Sequence, residues 1–231
     1  MDRSQPELLP IKIPKEYNYI AIFLTFSCQL RCSYCINQHG GDLVKGRRMS
    51  GEDWIRGINR IITRPDLPVT LQGGEPTTHR DFYRIVNGIR GDINIDLLTN
   101  LEVDVDTFMQ KISPIQMKRD APYASIRISY HHGQSNLEKL LEKVVILKNH
   151  GYSIGVFEVN HPQYEEEVMD RALKAKALGI DWRTKEFLGV WNGKTYGTFR
   201  YPNAVNGGIL QTCKCRTSEL LIAPDGYIFS C

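Results

Sequence analysis

Along this chain, short apolar stretches with the period of a strand are each followed by a longer stretch with the period of a helix. The pattern predicts strands at about residues 18–26, 69–72, 93–98, 125–130, 153–159 and 182–188. It predicts helices at about 51–62, from near Arg80 with Thr78 or His79 at its start, and at 105–112, 136–150 and 163–178. Helix 136–150 has Leu137, Leu140, Leu141, Val144 and Val145 on one face, with Ser135 or Asn136 to cap its first turn. Helix 105–112 follows Asp104. Pro162 enters the last helix, and Gly151 and Gly179 stand where left-handed helix stops belong.

Strands that alternate with helices over short connections imply parallel pairing through right-handed crossovers. Six such units fit an α/β fold of the partial (β/α)6, TIM-like barrel type. The tail from Gly189 to Cys231 breaks the alternation. In it, Leu220 to Ala223 and Tyr227 to Ser230 flank Pro224-Asp225-Gly226, which reads as a β-hairpin. The expected division is a barrel at residues 1–190 and a small subdomain at 191–231.

Composition narrows the function classes. A chain of 231 residues builds one sizeable core, and its 42% hydrophobic and 24% charged residues are ordinary for a globular protein. A net charge of +3 is too small to argue for nucleic acid or a membrane surface as a partner. Lys45, Arg47 and Arg48 read as a solvated loop. The first twenty residues carry Asp2, Arg3, Glu7, Lys12, Lys15 and Glu16 among three prolines, unlike a signal or transit peptide. No apolar run approaches the roughly 20 residues that span a bilayer. The expected compartment is the cytoplasm.

The six cysteines fall in two groups: Cys28, Cys32 and Cys35, then Cys213, Cys215 and Cys231. A disulfide framework is unusual without a secretory signal, and clustered cytosolic cysteines more often bind metal. Thiolates suit iron–sulfur clusters and zinc. Three thiolates in one short loop can hold three corners of a cubane cluster and leave the fourth iron open, as a catalytic site requires. With His39 the same loop also offers a four-ligand zinc site, and buried free cysteines are the bland alternative.

Position supports a site. In parallel barrels active groups gather at the C-terminal ends of strands. The cysteine loop follows the first strand, Gly73, Gly74 and Glu75 follow the second, and Thr99 and Asn100 follow the third. Ser129 and His131 end the fourth, and Glu158 and Asn160 end the fifth. Arg127, Ser129 and His131 share one face of their strand, with Ile126, Ile128 and Tyr130 on the other. The glycine pair is expected to let a ligand approach the backbone, and Glu75 to offer a carboxylate to an ammonium group. His131 and His132 read as strand-end or surface residues, His161 as structural, and His150 as a helix-dipole contact.

The C-x3-C-x2-C run of Cys28, Cys32 and Cys35, with Tyr34 before its last cysteine, resembles the signature of the radical S-adenosylmethionine (SAM) superfamily. Leu71-Gln72-Gly73-Gly74-Glu75-Pro76 is similar to that family's GGEP motif. The resemblance covers about residues 17–190. It implies a partial (β/α)6 barrel and a [4Fe-4S] cluster on Cys28, Cys32 and Cys35, with SAM held on the open iron by its amino and carboxylate groups. One-electron reduction then cleaves SAM to a 5′-deoxyadenosyl radical that abstracts a substrate hydrogen. It further implies that Ser129 and Arg127 contact the SAM ribose and carboxylate, with Thr99 and Asn100 nearby. A flavodoxin or ferredoxin-type protein is the implied electron donor.

The spacing Cys213-x-Cys215-x10-Gly226-x4-Cys231 resembles the SPASM and twitch extensions, which carry an auxiliary iron–sulfur cluster. The match is incomplete, because such clusters usually take four thiolates and Cys231 is the last residue given. An auxiliary cluster points toward peptide or protein modification. A small-molecule dehydrogenase is the alternative, and a non-enzymatic iron–sulfur or zinc module is the alternative of another class. Nothing in the sequence favours methyl transfer, and no residue stands out as acid, base or radical relay.

Overall fold

The computed structural model describes residues 9–32, 34, 35, 48–187, 189–196 and 218–230. Among them run the strands β1 (Ile11–Lys12), β2 (Tyr19–Thr25), β3 (Ile61–Ile62), β4 (Val69–Gly73), β5 (Ile95–Thr99) and β6 (Ile126–Tyr130). After these come β7 (Ile154–Asn160), β8 (Asp181–Glu186), β9 (Gly189–Trp191), β10 (Lys194–Tyr196), β11 (Glu219–Ile222) and β12 (Ile228–Ser230). The helices are α1 (Gly51–Ile58), α2 (Phe82–Gly88), α3 (Val105–Lys111), α4 (Leu137–Asn149) and α5 (Glu165–Ala177).

Eight strands form one sheet in the order β12-β11-β2-β4-β5-β6-β7-β8. From β11 to β8 every neighbouring pair is parallel; β12 pairs antiparallel with β11. The fold is therefore α/β, with a mixed sheet and flanking helices. Period two decides its faces. Ile20, Ile22, Val69, Leu71, Ile95, Leu97, Ile126, Ile128 and Val156 are buried on one side. All five helices add side chains to this core, among them Trp54, Phe82, Phe108, Val144 and Ala175. The register puts Gln72, Asp96, Arg127, Ser129, Phe157 and Lys185 on the other side. That second face is the polar one.

Local chemistry explains the helix ends. Ser50 and Asp53 close a reciprocal capping box on α1, Asp104 caps α3 through the Thr107 N–H, and Asn136 caps α4 through the Lys139 N–H. Gly151 and Gly179 take φ of 85° and 65° at the expected helix stops.

Three expectations need correction. The first helix stops at Ile58, because Ile61 is buried in a short parallel ladder between β3 and β1. The second starts at Phe82, behind a 3-10 turn at Pro76–Thr78. The C-terminal hairpin exists, but it does not stand apart. β11 pairs with β2 from Glu219↔Tyr19 to Ile222↔Ile22, so the hairpin continues the main sheet. A strand beside β2 satisfies backbone groups that an edge would leave open. A further hairpin, β9 with β10, carries no signal that the sequence reading used.

Candidate active site

The loop that bears the first cysteines leaves β2, and the turn that ends β4 grips it. The Gly74 N–H donates to the Thr25 carbonyl at 2.7 Å, and the Glu75 N–H donates to the Ser27 carbonyl at 2.8 Å. The two backbones lie so close that a Cβ on Gly74 would stand 2.4 Å from the Ser27 oxygen and 2.5 Å from the Phe26 oxygen. Gly73 has φ 153° and is equally crowded. The glycines thus serve a close approach, as expected, but the approaching group is the chain itself.

Glu75 is likewise committed within the protein. It is 1% exposed. Its Oε1 accepts from the Thr77 N–H (3.1 Å), Thr77 Oγ1 (2.6 Å) and Thr99 Oγ1 (2.8 Å), and its Oε2 accepts from the Asn100 N–H (2.6 Å). Burial pushes the carboxyl up, while these donors pull it down. A carboxylate offers about four acceptor positions, so little of Glu75 remains for an outside ammonium group. Thr99 is occupied too, accepting the Leu101 N–H at 3.0 Å. The Asn100 side chain points at the cysteine loop, with Nδ2 donating to Cys28 Sγ at 3.7 Å.

Cys28 is exposed, Cys32 buried and Cys35 half-buried. Burial raises the Cys28 and Cys32 thiols. The neighbouring cysteines add to the rise, taking Cys32 to about 11. Three cysteines gathered in one loop are a donor set suited to a soft metal centre. No three His, Cys, Asp or Glu side chains among the described residues converge on a single metal ion. A cubane cluster asks for something else, because each thiolate takes its own iron and the sulfurs stand further apart. Three thiolates from one loop, one for each of three irons, are a donor set that such a cluster accepts. Tyr34, between the last two cysteines, approaches His131 Nδ1 with its hydroxyl at 3.2 Å and packs its ring near that of His161 at 5.8 Å.

On the polar face, Ser129 is half-buried and paired in register with Phe157. Arg127 stands one step deeper. Its Nη2 contacts Asp96 at 3.1 Å, and Arg119 grips the same fully buried carboxylate through Nε at 2.8 Å and Nη2 at 2.9 Å. The Tyr123 ring lies against both guanidinium groups. Arg127 is thus engaged with Asp96, and its buried Nε has no protein partner. The sequence reading missed Lys185. It sits in register with Val159 on β7, and its ammonium is 5.2 Å from the Phe157 ring centroid. Loss of solvation, then the Arg127 charge, lowers its pKa. The signal that could have found it is the period-two set of Arg183 and Lys185 in the sixth strand.

Other expected strand-end groups lie elsewhere. Glu158 is buried on the helix side, held by Arg171 (2.7 Å), Trp182 Nε1 (3.1 Å) and His132 Nε2 (3.0 Å). Period two sends it to the face opposite Phe157. Asn160 is exposed. His132 is buried and stacked on Tyr164 at 4.2 Å, not a surface residue. His161 is structural as expected, capping the Pro162–Tyr164 turn and packed against Phe187 and Trp191. His39, Cys213, Cys215 and Cys231 lie outside the described residues. No helix among the described residues is long and apolar enough to cross a membrane.

Comparison with known proteins places the chain among relatives in sequence and in fold. A family model described as the radical SAM superfamily matches residues 22–199. The molybdenum cofactor biosynthesis protein moc-5 of Caenorhabditis elegans is 28% identical over 192 residues, covering 75% of this chain and 30% of that protein. A GTP 3′,8-cyclase of Listeria monocytogenes is 22% identical over 209 residues, covering 84% of this chain and 61% of that one. The chain therefore spans less than two thirds of either curated relative. Among solved structures, Streptococcus suis SuiB superposes with a TM-score of 0.61 at 14% identity, covering 96% of this chain and 60% of that one. SuiB bound to its precursor peptide SuiA gives a TM-score of 0.53 at 15% identity, covering 78% and 40%. At such identities the likeness is one of fold.

Proposed function

The chain belongs to the radical SAM superfamily, and from that premise we propose that it binds a [4Fe-4S] cluster through Cys28, Cys32 and Cys35 and uses it with SAM to modify a peptide or protein. The bound cluster supplies one-electron reductive cleavage of SAM, which starts hydrogen abstraction from the substrate. One observation carries this reading. The three-thiol loop is clamped by the Gly73-Gly74-Glu75 turn at the C-terminal ends of adjacent parallel strands. In this reading the open sheet is a partial (β/α)6 barrel whose polar face is its interior.

The chain's own groups then divide the work. Gly74 and Glu75 fix the cysteine loop through their backbone N–H groups. Ser129 presents a hydroxyl to the SAM ribose, and Gly73 and Gly74 line the methionyl end. Lys185 and Arg127 put positive charge on the same face, where a carboxylate would sit. Cys213, Cys215 and Cys231 hold an auxiliary cluster, and a flavodoxin or ferredoxin-type protein delivers the electron. The peptide substrate is supported by the likeness to SuiB with its precursor peptide. A small-molecule, nucleotide-like substrate is the second reading, favoured by the names of the sequence relatives.

Anaerobic reconstitution, iron and sulfide analysis, and a dithionite assay for 5′-deoxyadenosine test the proposal. About four irons with 5′-deoxyadenosine supports the first cluster, and about eight adds the auxiliary one. Bound zinc without 5′-deoxyadenosine overturns it in favour of a binding module. Turnover of a nucleotide with no modification of any candidate peptide would favour the second reading.

A further inference from the structure

Asn100 follows β5 and is 3% exposed. Four contacts fix it. Its backbone N–H donates to Glu75 Oε2 at 2.6 Å, its Oδ1 accepts from the Glu102 N–H at 2.9 Å and Gln29 Nε2 at 3.4 Å, and its Nδ2 reaches Cys28 Sγ at 3.7 Å. Leu101, next in the chain, takes the left-handed conformation at φ 57°, its N–H held by Thr99. That turn brings the Glu102 N–H back to Asn100 Oδ1. With two donors on its oxygen, the amide has one orientation available, and its nitrogen must face the cysteine. Cys28 Sγ also accepts the Leu30 N–H at 3.4 Å. Glu75, which the sequence offered as a partner for an ammonium group, is instead the buried anchor of this arrangement.

We propose that Asn100, anchored by Glu75, is a positioning residue for the cluster: its side-chain amide donates a hydrogen bond to the Cys28 thiolate, orienting that ligand and raising the cluster's reduction potential. The inference rests on the iron–sulfur reading above. Donors to a ligand sulfur draw off negative charge, and they stabilise the reduced, more negative state most. Outer partners of metal ligands commonly matter tenfold or more. The chain of contacts Glu75–Asn100–Cys28 also joins the turn after β4, the turn after β5 and the cysteine loop into one unit.

The test is a redox titration of the reconstituted protein without SAM, followed by electron paramagnetic resonance of the reduced cluster. Asn100→Ala removes the donor. Asn100→Asp keeps the acceptor for the Glu102 N–H and puts a carboxylate beside the sulfur. Asn100→Ala is expected to shift the reduction equilibrium about tenfold against the reduced state, about 59 mV for a one-electron couple, and Asn100→Asp further in that direction. An unchanged circular dichroism spectrum with iron lost from both Asn100 variants also supports the positioning role. Full iron content with potentials equal to wild type overturns it. A wild-type protein that takes up no cluster would instead sink the underlying functional reading, which keeps the two failures apart.

Discussion

The α-carbon of Gly73 and the carbonyl oxygen of Thr25 are so close that a Cβ on Gly73 would lie 2.1 Å from that oxygen. The contact joins the end of β4 to the residue where β2 loses register and turns into the cysteine loop. Loop position and glycine content are therefore one constraint.

Gly73→Ala should separate these strands' ends. Neither backbone can yield without breaking the Gly74–Thr25 and Glu75–Ser27 hydrogen bonds. We expect a loss of about 3 kcal/mol in folding stability and a fall in iron retained after reconstitution. Urea unfolding with iron analysis measures both; a variant that unfolds and loads like wild type refutes the clamp.

Replacing Cys28, Cys32 or Cys35 with Ala should abolish 5′-deoxyadenosine formation. Replacing Cys213 or Cys215 should leave uncoupled SAM cleavage largely intact while impairing substrate turnover. If the second pair also abolishes cleavage, those cysteines support folding instead.

Asp96 balances two guanidinium groups, from Arg119 and Arg127, in a fully buried position. Asp96→Ala leaves both cations without their partner, and the expected cost is about 3–5 kcal/mol. The shift in the urea midpoint reports it. A loss under about 1 kcal/mol would mean that water already screens the trio.

His132 predicts a pH effect. Its Nδ1 accepts from Arg171 Nη2 at 3.0 Å, and its Nε2–H is shared between the Val159 carbonyl at 3.2 Å and Glu158 Oε1 at 3.0 Å. Both nitrogens are thus used by the neutral ring. Burial, with the Arg171 charge behind it, lowers the pKa from 6.5 to about 4. The unfolded chain therefore takes up this proton first. The ring's contribution is complete above pH 6.5 and is lost as pH falls toward 4. The loss approaches roughly 1.4 kcal/mol per pH unit at its steepest. Unfolding curves at pH 7 and pH 5 should differ more for wild type than for His132→Phe. Equal differences would remove His132 from the account.

The placement of much of the candidate site was legible along the chain. Cys28, Cys32, Cys35, Gly73, Gly74 and Glu75 stand on adjacent strand ends, where their spacing and the strand pattern put them. Glu158 was misplaced because the strand-end argument locates a residue along the sheet but ignores its face. Its neighbours Phe157 and Val159 take the polar face, which sends Glu158 to the core. Lys185 was missed because β8 is an edge strand with little apolar alternation to mark its faces.

The sequence by itself determined the six alternating strands and the helices between them, the cap at Asn136, and the polar line of Arg127 and Ser129 against buried Ile126 and Ile128. These are local matters: each residue's partition between water and core, and hydrogen bonds within a few positions. Only the tertiary structure decided that β11 would join β2, that Asp96 would claim Arg127, and that Glu75 would spend its acceptors on Thr77, Thr99 and Asn100. Each of these is a pairing between segments far apart in the chain. Periodicity records which side of a strand is dry, whereas a pairing depends on which two groups the fold brings within hydrogen-bond reach.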